Sequence, residues 1–169
     1  MAFEWLSGNA VTYPIVTLGG DLERCIGKDA LVHEVRIGSA SEHLLLKAGA
    51  DPEAPQSLAA TLQSNGLAAA TQVPQHYATG FQDLAEFFAT LEEGWRGWAG
   101  VQTWKSLEGE LTIEARHQFG HVRLTVTLRN LRWEWGNDGW HATVDLTIDP
   151  GEQLSRIARE TAALASGEE

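Results

Sequence analysis

Apolar residues in this chain follow two periods, and where the period changes the elements change. Phe81, Leu84, Phe88, Leu91 and Trp95 step by three and four, one stripe of a 3.6-residue helix, which Ala85 and Phe87 widen. The spacing predicts an amphipathic helix over residues 80–94. Thr79 stands where an N-cap belongs, with Gln82 three places on to complete a capping box. Asp83 puts negative charge into the first turn, and Gly94 and Gly97 are placed to end the helix.

After this helix the period becomes two, and residues 101–148 read as an antiparallel meander. Residues 104–107 and 111–115 are joined through Glu108-Gly109. Leu111, Ile113 and Ala115 alternate with Thr112, Glu114 and Arg116. Phe119-Gly120 turns the chain, after which Val122, Leu124, Val126 and Leu128 alternate with polar partners. Leu131, Trp133 and Trp135 then fall on odd numbers, a slip that predicts a bulge or bend near Asn130 if both sets face one core. Residues 136–139 form a hairpin loop, and Trp140 to Ile148 return along the sheet. A second helix is expected over residues 150–166, with Asp149 as N-cap, Pro150 at its first position and a stripe of Leu154, Ile157, Ala158, Thr161, Leu164 and Ala165.

The first part of the chain, residues 11–73, reads as less regular strands. Residues 11–18 are β-branched but contain Pro14, which suits a sheet edge. Leu31, His33, Val35 and Ile37 alternate with Val32, Glu34 and Arg36, residues 39–42 turn, and residues 43–48 make a short strand. Residues 49–56 carry two prolines and two acids and read as an exposed loop. Leu58 and Leu62 lie four apart before Asn65-Gly66, which reads as a short helix with its stop; residues 67–73 return as a strand. The expectation is an α+β fold in a single domain over residues 1–169, an antiparallel sheet with two amphipathic helices packed on one face.

At 169 residues the chain is long enough to bury a core without a disulfide or metal, and its one cysteine, Cys25, has no partner. Cys25 is a weak nucleophile candidate, because only Arg24 and Lys28 stand near it in sequence to lower its pKa. No basic leader and no long apolar run is present, so a soluble, cytoplasmic protein is expected. The formal charge is −11, from 12 basic and 23 acidic side chains. That excess repels nucleic acid and anionic membranes and permits a basic protein partner.

No catalytic motif stands out. Glu92-Glu93 and Glu108/Glu110 lie at a helix end and around a turn, Gly19-Gly20 lacks what a phosphate loop needs, and no nucleophile elbow exists. His117 and His121 flank one turn but have no third ligand nearby, so neither a metal nor any other cofactor is expected. Seven tryptophans offer flat apolar faces; three of them, Trp95, Trp98 and Trp104, follow the first helix and are read first as core plugs. The open face of the meander carries Glu114, Arg116, Arg123, Thr125, Thr127, Arg129 and Asp145, with cross-strand pairs such as Glu114 with Arg123 as its plain explanation.

Residues 81–117, then Gly120 to Arg129 and the later Leu146 to Leu154, resemble a family of small bacterial proteins known only as a domain of unknown function. Trp95-Arg96-Gly97-Trp98, Trp104 through Leu111 and Pro150 through Leu154 carry the likeness. That family brings no catalytic residues. The plan of early strands, helix, meander and last helix is also similar to that of immunity proteins of polymorphic toxin systems. Together these imply a non-enzymatic, protein-binding domain, immunity-like, in which Glu86, Glu92, Glu93, Glu114 and Asp145 steer a basic partner. The alternative is a small-ligand binder or cryptic enzyme with a pocket lined by Trp95, Trp98, Trp104, Trp133 and Trp135.

Overall fold

Strand alternation organises the chain into two antiparallel meanders rather than one. The computed structural model describes residues 34–49, 56–130 and 139–167, all within one compact unit, Leu31–Glu169. The first sheet has the order β1 (Glu34–Gly38), β2 (His43–Ala48), β3 (Ser57–Ser64), β4 (Leu67–Pro74); the second has β5 (Gln102–Lys105), β6 (Leu111–Gln118), β7 (His121–Asn130), β8 (Trp140–Ile148). Between the sheets in sequence runs α1 (Gln82–Glu93), and α2 (Glu152–Ser166) closes the described chain. The α+β expectation holds, with the strands divided between two sheets.

Each sheet buries one face, as a period of two requires. Val35, Ile37, Leu44, Leu46, Leu58, Ala60 and Leu62 are sealed from solvent on the first; Leu111, Ile113, Ala115, Val122, Leu124, Val126 and Leu128 on the second. Both faces join one core with Leu84, Phe88 and Leu91 of α1 and Leu154, Ile157 and Leu164 of α2. The helices lie against each other, with α2 also against β1 and α1 against β5. Burying each of these large side chains contributes about 1.5–3 kcal/mol.

β1 is an edge strand, whose outward carbonyls would otherwise invite pairing with another chain. Two side chains of α2 occupy them. Gln153 Nε2 donates to the Gly38 carbonyl at 3.0 Å and Arg156 to the Arg36 carbonyl at 3.1 Å. Gly38 sits at φ +120°, and a Cβ there would collide with the Glu42 carbonyl, so only glycine fits the corner into β2.

Several sequence expectations are corrected. Residues 57–64 form β3, paired along their length with β2 and β4, instead of a short helix. Asn65 (φ 43°) and Gly66 (φ 86°) are a two-residue hairpin turn rather than a helix stop. Thr79 does not cap α1: its hydroxyl lies 3.1 Å from His76 Nδ1, and Phe81 is the N-cap, without a side-chain bond. Asp149 does not cap α2 either. Its carboxylate lies 3.1 Å from His121 Nδ1, Gly151 is the N-cap, and Gln153 Oε1 accepts the Asp149 N–H. The edge strand over residues 11–18, Leu31 and His33, the loop prolines Pro52 and Pro55, the bulge beyond Asn130 and Trp133 and Trp135 lie outside the described residues.

Candidate functional site

α1 carries Asp83, Glu86, Glu92 and Glu93 and no basic residue. Its buried stripe turns these acids outward, away from Leu84, Phe88 and Leu91. Glu92 and Glu93 occupy the last turn, where the free carbonyls already present negative charge, so each acid there costs about 0.3–1 kcal/mol. None of the four is ion-paired among the described residues; the six ion pairs found there involve other acids. Glu86 and Glu92 border a shallow groove of about 270 Å³ between the helices, floored by Ala85, Ala89, Ala158 and Ala162, with Arg159 on its far side.

Glu114 and Asp145 are placed differently. Both stand on the outer face of the second sheet, where Glu114 is within 3.5 Å of Arg116 and Asp145 within 3.5 Å of Arg123. The expected Glu114–Arg123 pair is not made, because the register sets Glu114 opposite Thr125 and Arg116 opposite Arg123. Thr125 donates to Asp145 at 2.7 Å, and Thr127 meets Thr143 at 3.0 Å. This face satisfies its own polar groups, and its acids are already neutralised by arginine. Among the described residues, four acids without an ion pair, Asp83, Glu86, Glu92 and Glu93, lie together on α1.

The tryptophans do not gather around one cavity. Trp104 is buried on β5 beside a pocket of only about 10 Å³, far too small for a ligand. Trp98 packs edge-on against His117 with ring centroids 5.4 Å apart. Trp95 is half exposed, stacked under the Arg96 guanidinium at 4.9 Å, and lines a cleft of about 290 Å³ with Glu92, Gly151, Leu154 and Ser155. A larger cavity of about 770 Å³ is lined by Ala59, Ala60, Ala70 and Gln72 with Glu108 and Glu110. Two of its polar groups are committed: Glu110 accepts from Ser106 at 2.8 Å in the β5–β6 turn, and Gln72 from Ser57 at 2.9 Å.

The two histidines of the β6–β7 hairpin diverge, His117 to Trp98 and His121 to Asp149. Among the described residues no group of three or more metal-ligating side chains comes together, and no helix is long and apolar enough to cross a membrane.

One residue that the sequence reading passed over as a turn is Phe119. It is 99% exposed at the tip of the hairpin and has φ +51°, a conformation that costs a bulky side chain energy. The signal was present in the sequence. The favoured two-residue hairpin turns need φ above zero at the first position, which selects Gly, Asn or Asp, and this loop places Phe there.

The fold and surface thus define an α+β domain of two antiparallel sheets with an acidic helix at its side. The chain belongs to a family of unknown function, DUF6228, whose model matches residues 36–168. No curated protein and no solved structure matches it significantly.

Proposed function

We propose that this chain is a non-enzymatic, protein-binding domain that holds a basic protein partner along α1, in the manner of an immunity protein neutralising a basic toxin. The observation that carries the reading is the row Glu86, Glu92 and Glu93, none of it ion-paired among the described residues, with two of its members placed against the helix dipole. Local stability opposes this arrangement, and a binding surface is a reason to keep it. The charge of −11 adds long-range attraction that raises association rate with a basic partner. Glu114 and Asp145, already paired with arginines, fall outside the proposed interface.

The test is capture from native lysate at low salt by the wild-type chain and by a Glu92→Lys/Glu93→Lys variant. The expected result is one basic protein retained by the wild type and lost from the variant. Equal recovery by both, or recovery of none, rejects the proposal.

A further inference from the structure

We propose that the β6–β7 hairpin tip is a self-association finger: Phe119 of one copy seats in the Trp95–Leu154 cleft of a second copy, and the second copy's Phe119 seats in the first.

Two unfavourable choices meet at the tip of this one hairpin. Phe119 exposes its whole ring and holds a left-handed backbone conformation. The arginines at its base, Arg116 and Arg123, are already paired with Glu114 and Asp145 and ask for nothing further. A chain selected for its own stability alone would place Asn or Gly at the tip. A contact made only on association explains both choices, since it would cover the ring.

The complementary surface is on the same molecule. The cleft joins an apolar wall, Trp95 and Leu154, to the carboxylate of Glu92, and about 290 Å³ is room for one aromatic ring rather than a cofactor. It opens beside the hairpin that would fill it in the other copy. His117 at the hairpin's base packs on Trp98, three residues after Trp95, and His121 reaches Asp149, two residues before Gly151 of the cleft. Phe119 is fully exposed and so does not fill its own cleft. A patch that carries finger and cleft side by side is self-complementary under a two-fold axis, which gives a closed pair instead of an open chain. Two buried rings cover less area than a permanent dimer requires, so the pair should be weak and concentration-dependent. A basic partner seated on Glu92 and a second copy would exclude each other.

The test is sedimentation equilibrium of the purified chain over a wide concentration range. Wild type is expected to show a monomer–dimer equilibrium, weakened at least about 100-fold by Phe119→Asn because each dimer loses two anchors. Asn suits the left-handed position, so the monomer should stay folded by circular dichroism. Trp95→Ala, which removes one wall of the cleft, should weaken association as well. A wild type monomeric throughout, an unchanged Phe119→Asn dimer, or a monomer whose Phe119 binds anionic vesicles would overturn the proposal. Because no other protein is present, failure here leaves the basic-partner reading untouched.

Discussion

Replacing Phe119 by Asn should make the isolated monomer more stable, although it removes an aromatic ring. In most positions the loss of a phenyl group costs about 3–5 kcal/mol, through lost transfer energy and the cavity left behind. At 99% exposure neither term exists here, because the ring touches solvent rather than core. What remains is the backbone term. A left-handed conformation costs an ordinary L-residue roughly 1–2 kcal/mol, and Asn recovers part of it through local hydrogen bonding. The expected gain is about 0.5–1 kcal/mol, or roughly 1–4 °C in Tm for a domain of this size. Urea unfolding followed by tryptophan fluorescence would measure it, at concentrations low enough that self-association adds nothing by mass action. A loss of stability at that dilution would refute the reasoning, since it would mean that the ring is packed in the folded monomer.

Other positions give sharper losses. Phe88→Ala, at a site with no exposure and edge-on against Phe87, should cost about 3–5 kcal/mol in the same assay, a large fraction of the 5–15 kcal/mol typical of a domain. Gly38→Ala should cost more than about 1 kcal/mol, because the new methyl group meets the Glu42 carbonyl and φ +120° is closed to alanine. The hydrogen bond from Lys47 holds the Glu34 carboxyl below its ordinary range, so that pairing stabilises the fold above the unfolded pKa and is lost as pH falls through the folded one. Lys47→Met should move the Glu34 titration upward by NMR and remove that small part of the acid sensitivity.

Elements whose residues obeyed a single period were legible in the sequence. α1, β6, β7, β8 and α2 lie within a few residues of where spacing put them, because each buries one stripe or one face and nothing competes. β3 failed for a definable reason. Leu58 and Leu62 are four apart, which satisfies a helical stripe and also a strand face through Ala60, and only pairing with β2 and β4 decides between them. Asn65-Gly66 followed the same error, since it terminates a helix or turns a hairpin depending on what flanks it.

The caps were misread through competition. Thr79 and Asp149 had the right chemistry and spacing, but His76, three residues before Thr79, and His121, brought beside Asp149 by the fold, took their oxygens. The acids divided in the same way: Glu114 and Asp145 acquired arginine neighbours that sequence order did not predict, while the acids of α1 acquired none among the described residues. Phe119 was legible in principle, because the turns favoured at its loop length put their first residue in a conformation that phenylalanine disfavours.

The measurement closest to the central claim pairs stability with binding in one variant, Glu92→Gln/Glu93→Gln. If these acids are kept at the C-terminal turn of α1 for a basic partner, neutralising them should raise the stability of the free protein by about 0.5–2 kcal/mol in total and sharply reduce partner capture at low salt. A variant that is no more stable and captures the partner as well as the wild type would contradict the account.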